Sequence, residues 1–145
     1  MRVLVDVFAH GEPKGQPRPR AFARNGKARV YDPGTAEAWK SQVALAVGPR
    51  EPVSGPVQVE LTFAMPRPKA HLTTHGVIKP KAPRYHTSKS DLDNLAKGTL
   101  DALTTMRVWY DDAQVAKLYC AKMYAQGGAW GCEIHVYALD QEEVV

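Results

Sequence analysis

Residues 90–106 read SDLDNLAKGTLDALTTM, from Ser90 to Met106. At about 100° per residue, Leu92, Leu95, Ala96, Thr99, Leu100, Ala102, Leu103 and Met106 gather on one arc of a helix. Asp93, Asn94, Lys97 and Asp101 gather on the opposite arc. The pattern predicts an amphipathic helix over 92–106 whose apolar side lies on a sheet. The polar cluster at its start has two readings. In one, Ser90 and Asp93 form a capping box, and the acids suit the positive end of the helix dipole. Asp93 and Lys97 then add an i, i+4 pair. In the other, the acids are functional. Asn94 adds a polar group where the helix should begin to bury itself. Asp111 and Asp112 follow Trp109 and Tyr110 as a second acidic pair, and a turn after the helix is expected to bring them back toward the first.

On the N-terminal side of this helix, residues 2–8 and 56–65 alternate apolar and polar and read as strands. Between them, AFARNGKARVY forms a hairpin about Asn25-Gly26, a dipeptide that accepts positive φ. YDPGTAEAWKSQVALAVG reads as a helix, capped by Asp32 or Thr35 and ended by Gly48, with Ala36, Trp39, Val43 and Val47 on one face. After the long helix come strands at 115–125 and 132–139, joined as a hairpin by QGGAWG. The fold class is α+β: one domain over 1–145, a mixed β-sheet with helices on one face in two layers.

The chain has 145 residues, enough for one domain with a core. Its 44% hydrophobic content excludes a disordered chain. No apolar run reaches membrane-spanning length. The N-terminal apolar run is too short for a signal peptide and is broken by Asp6. A cytoplasmic protein without a membrane partner is the expectation. Cys120 and Cys132 form no CxxC and read as small core residues. His71 and His75 are four apart, but the segment is not helical and offers no third ligand, so they read as loop residues. The end of the chain, 139–145, reads as an acidic, frayed tail.

Charge is unevenly spread. Net charge is +4, and 12 of the 19 Lys and Arg fall in two arms, within 12–29 and 66–90. The first holds Lys14, Arg18, Arg20, Arg24, Lys27 and Arg29; the second holds Arg67, Lys69, Lys79, Lys81, Arg84 and Lys89. Basic segments rich in Pro, Gly or Thr are the footprint of a polyanion. Carboxylates among them would repel phosphate, unless a divalent cation lies between. Mg²⁺ takes oxygen ligands and is held by one or two carboxylates plus substrate phosphate. Mn²⁺ accepts the same donors.

DLDNLAKGTLDAL followed by WYDDAQV resembles the signature of the RusA family of phage-type Holliday junction resolvases. EPKGQPRPR…RVYDP and YHTSKSDLDN also resemble that family, so the likeness runs from about Gly11 to Ala138. Many relatives have proline where this chain has Ser90. The resemblance implies a bacterial or phage-encoded, homodimeric, Mg²⁺-dependent endonuclease that cuts four-way DNA junctions in recombination and repair. It places the metal ligands on Asp91, Asp93 and Asp112 and an essential lysine on Lys97. Asn94 and Asp111 take supporting roles, and Asp101 is structural. The DNA contacts are expected from Lys14, Arg18, Arg20, Arg24, Lys27, Arg29, Lys79, Lys81, Arg84 and Lys89, with no small-molecule cofactor. Two other readings stand beside it: a non-catalytic nucleic-acid-binding protein whose acids only cap a helix, and a metal nuclease acting on flaps or forks.

Overall fold

The computed structural model describes residues 1–15, 20–24, 27–31 and 36–140. The chain runs β1 (Arg2–His10), β2 (Arg20–Arg24), β3 (Lys27–Tyr31), α1 (Glu37–Val47), β4 (Val57–Met65), α2 (Leu92–Thr105), β5 (Val115–Tyr124) and β6 (Gly131–Ala138). Four strands form a mixed sheet in the order β1-β6-β4-β5, in which β4 and β5 are parallel and the other pairs antiparallel. β2 and β3 form a separate antiparallel ribbon, as the hairpin reading expects; the Asn25-Gly26 turn, Arg18, and the side chains of Arg20, Arg24, Lys27 and Arg29 lie outside the described residues. So do the caps expected at Asp32 and Thr35, and residues 141–145 of the acidic tail.

Alternation explains the sheet. In β4, Val57, Val59, Leu61, Phe63 and Met65 all point inward and are buried. They stand beside the buried Val136, Ile134 and Cys132 of β6. Trp39, Val43 and Val47 of α1, and Leu95, Ala96, Ala102 and Leu103 of α2, share that core. The predicted apolar arcs are therefore the buried ones. Truncating Leu103, fully buried, to Ala would remove about 2–5 kcal/mol. One polar contact ties the helices inside this core: Trp39 Nε1 donates to Thr99 Oγ1 at 3.1 Å, and Thr99 donates to Leu95 O at 2.9 Å. At the surface Lys40 faces Asp101 across 3.9 Å, a structural role for that acid. Gly48 ends α1 with φ 72°, a conformation that L side chains rarely adopt.

One topological expectation fails. β5 and β6 are not a hairpin; β4 lies between them. Cys132, Ile134 and Val136 of β6 are fully buried and take β1 on one side and β4 on the other. Pairing with β5, whose Leu118 and Tyr119 are exposed, would leave β6 with a weaker neighbour. β5 pairs with β4 in parallel instead, which requires a crossover. Residues 66–114, carrying α2, supply it.

The first part of that crossover is pinned rather than loose. Arg67 Nε donates to Ala125 O at 2.9 Å and Nη1 to Pro83 O at 2.8 Å. Residues 84–86 then run antiparallel along the outer edge of β5: Tyr124 N–H donates to Arg84 O and His86 N–H to Lys122 O. The C-terminal end of the edge strand, residues 122–124, is thereby covered.

Candidate active site

α2 begins at the end of the sheet where β4 and β5 finish. Its N-cap is Asp91, extended at φ −65° and ψ 142°, and the backbone carbonyl of Asp91 accepts from Leu95 N–H. The Asp91 side chain makes no cap hydrogen bond, and Ser90 lies before the cap. The capping box expected of Ser90 and Asp93 is thus absent, because the helix starts one residue later than that motif needs. Asp93 Oδ1 accepts from the Asn94 N–H at 3.0 Å. Asp91, Asp93 and Lys97 are exposed, and Asn94 is half-buried. Lys97 lies about one helical turn beyond Asp93.

The arm after β1 comes to the same place. A Cβ on Gly15 would stand 2.9 Å from Asn94 Cβ, so only glycine lets the backbone lie against the first turn of α2. Lys14, next to it, pairs with Glu12 at 3.3 Å in solvent. The basic arm and the acids are therefore adjacent, although far apart in sequence.

Asp111 and Asp112 are elsewhere. Asp112–Gln114 is a single 3₁₀ turn leading into β5. Asp111 Oδ1 accepts from Ala113 N–H at 2.8 Å, while Gln114 Oε1 accepts from the N–H groups of Tyr110 and Asp111. Gln114 Nε2 donates to Val53 O and Gly55 O, just before β4 begins. Trp109 Nε1 donates to Thr104 at the far end of α2. Asp111 is thus spent on the turn, and Asp112 is left exposed beside it.

The expected convergence of the acids within one chain does not occur. α2 has 14 residues, so at about 1.5 Å per residue its ends are roughly 20 Å apart. Asp91 and Asp93 stand at one end, Asp112 at the other. β5 gives the same measure: Val115 follows the Asp112 turn, and Lys122, seven residues on, touches Ser90. A turn after a helix can return beside it only at the helix's own C-terminal end unless a further element carries it back. The carboxylate oxygens suit a hard divalent cation. Yet among the described residues no three His, Cys, Asp or Glu side chains are grouped to hold an ion. Among the described residues of one chain, Asp112 is therefore not grouped with Asp91 and Asp93 to hold an ion.

Two residues without a role in the sequence analysis organise these ends. Gln114 holds the Asp112 turn; Asp111 and Gln114 have the acid-then-Gln spacing of a capping box, so that signal was present. Lys122 Nζ donates to Ser88 O and Ser90 O, each at 2.7 Å, directly before Asp91. A lone lysine in a strand offers no such signal. Beside it, His86 Nδ1 is buried without a hydrogen-bond partner. Burial, and secondarily the Lys122 charge, push the His86 pKa below 6.5. Burial likewise raises the thiols of Cys120 and Cys132, which are free and belong to the core side of the sheet.

The second arm lines a cleft of about 390 Å³ with Arg67, Lys79 and Arg84 and with no acid. Lys81 and Lys89 are exposed on the same segment. His71 faces Arg67 and the Tyr124 ring, a packing role rather than a ligand's.

The family model described as Endodeoxyribonuclease RusA matches residues 10–137. "Uncharacterized protein YqaN" of Bacillus subtilis (strain 168) is 34% identical over 133 residues, covering 84% of this chain and 89% of that protein.

Proposed function

The chain belongs to the RusA endodeoxyribonuclease family, and on that ground we propose that it resolves four-way DNA junctions as a homodimer, with Mg²⁺ at a site shared between two copies. Asp91 and Asp93 of one copy and Asp112 of the second would hold the ion, and Mn²⁺ would replace it. The observation that carries the shared site is the placement of Asp112 at the opposite end of α2 from Asp91. A two-fold axis that sets one α2 antiparallel to another brings unlike ends together and makes two equal sites. Such symmetry is the commonest among soluble oligomers.

The chemistry such an ion supplies is neutralisation at the scissile phosphate and a more acidic water. The chain's own residues do the rest. Lys97, exposed beside Asp93, offsets negative charge that builds on the phosphate during cleavage. Asn94 seats the Gly15 backbone and so holds the first basic arm at the site. Lys14, Lys79, Lys81, Arg84 and Lys89, with Arg18, Arg20, Arg24, Lys27 and Arg29, bind phosphates of the junction arms. The Asp91 carboxylate, unused in capping, argues against a protein whose acids are only structural. A cytoplasmic location goes with this reading; no helix among the described residues is long and apolar enough to cross a membrane.

The test is cleavage of a synthetic four-way junction. Mg²⁺ or Mn²⁺ should support paired nicks, and Ca²⁺ should support binding with little cutting, because its larger and looser shell misplaces water. Full activity in chelator would refute the metal reading. Flap and fork substrates run alongside, and equal cutting of these would replace junction resolution with a broader branched-DNA nuclease.

A further inference from the structure

We propose that Lys122 is a positioning residue for Asp91, an inference that rests on the proposed catalytic role of Asp91. The observation is a convergence of fixed points just ahead of the carboxylate. The 84–86 segment is zipped to the edge of β5, with His86 N–H donating to Lys122 O. From the same residue, Nζ crosses to Ser88 O and Ser90 O at 2.7 Å each. Two charge-assisted bonds of that length are strong ones. They end at the residue that precedes the N-cap.

The anchoring matters because of how Asp91 itself is held. Asp91 is extended, and its carboxylate makes no cap bond, so no side-chain contact of a cap aims it. The backbone alone therefore sets where its Cα–Cβ bond points, and with it the rotamers open to the carboxylate. On the C-terminal side that backbone is fixed by Leu95 N–H to Asp91 O. On the N-terminal side it is fixed by Lys122. Lys122 therefore does for Asp91 what Gln114, bonded to Val53 O and Gly55 O ahead of β4, does for the Asp112 turn.

The test compares Lys122→Met, which keeps length and loses the donors, with Lys122→Arg, which keeps donors and charge. Three readouts are used: amide hydrogen exchange over 88–92 without metal, binding of a synthetic four-way junction in chelator, and single-turnover cleavage at saturating Mg²⁺. Lys122→Met should speed exchange at 88–92, keep junction affinity and its salt dependence, and lose about 10- to 100-fold in cleavage, as losses of supporting partners do. Lys122→Arg should restore both slow exchange and most of the cleavage. Wild-type cleavage by Lys122→Met overturns the proposal. So does a loss of junction affinity with a flatter salt dependence, which would make Lys122 a phosphate contact. If Lys122→Met does not fold, Lys122→Arg decides alone: slow exchange at 88–92 with cleavage lost would mean that the ammonium acts at the reacting phosphate. Asp91→Asn is run in the same assays. Normal cleavage by that variant would sink the reading of Asp91 itself, whatever Lys122 does.

Discussion

Replacing Asp93 by Asn keeps shape and much of the hydrogen bonding at the first turn of α2, but removes one charge and one hard ligand. Cleavage should fall by orders of magnitude while junction binding is kept or slightly tightened, since a carboxylate that repels phosphate has gone. Normal cutting by Asp93→Asn, read on a labelled junction, would dismiss its role. Lys97→Ala should lower turnover far more than affinity, one phosphate contact among many being a small part of binding; a loss of affinity alone would make Lys97 an ordinary DNA contact. His86 gives a prediction in pH. Its folded pKa lies below 6.5 through burial and the Lys122 charge. The unfolded chain therefore binds the proton first as pH falls, so the contribution of His86 to stability is complete above about 6.5 and declines below it. Chemical denaturation of wild type and His86→Phe across that range should show a steeper acid-side loss for wild type, and parallel curves would refute it. These residues were unequally legible. The acids, Lys97 and Asn94 stood out because polar groups interrupted an apolar pattern. Lys122 and Arg67 did not, because a cation that serves backbone carbonyls looks in sequence like any surface charge.

Among the helices and strands, local periodicity carried most of the fold. The buried faces of α1 and α2 and the inner side of β4 follow from spacing alone, and each is where a 3.6- or 2-residue period places it. Start signals were less dependable. Ser90 and Asp93 have capping-box spacing, but the helix begins too late to use it; Asp111 and Gln114, easily overlooked, close a single turn with one. The hairpin between β5 and β6 failed for a different reason. Short connections favour neighbours, but burial of β6 on both sides outweighed that preference, and only the assembled sheet decides it. The arm after β1 offers a test of how elements meet. Gly15→Ala should push the backbone off Asn94, because the added carbon would sit 2.9 Å from Asn94 Cβ. Junction affinity and cleavage should both drop with the thermal midpoint little changed. Neutralising Arg18, Arg20 and Arg24 together should weaken binding and flatten its salt dependence, as loss of phosphate contacts does. Unaltered binding in both variants would remove the arm from the DNA interface.

The molecule taken entire sets the limit on what one chain can do. Sequence spacing put Asp91, Asp93 and Asp112 within 22 residues of one another, and that closeness suggested a cluster. A 14-residue helix between them turns closeness in sequence into a separation of roughly 20 Å. The basic arms, the Asp91 carboxylate unused in capping and the family membership all point to DNA cleavage, and the proposed dimer is the answer to the separation. Four-way junctions also have two strands to cut, related by a two-fold axis, so a dimer with two equal sites matches the substrate. If each site takes Asp91 and Asp93 from one copy and Asp112 from the other, two inactive chains must be able to complement each other. Asp93→Asn and Asp112→Asn chains, each inactive alone, are mixed, exchanged and presented with a junction held in a supercoiled plasmid. In a mixed dimer one site then carries both substitutions and the other carries neither. Nicked circles from the mixture, absent from either variant alone and never converted to linear product at the wild-type rate, are the predicted result. A mixture as inactive as its parts, with exchange of subunits verified by mass, would contradict the shared site.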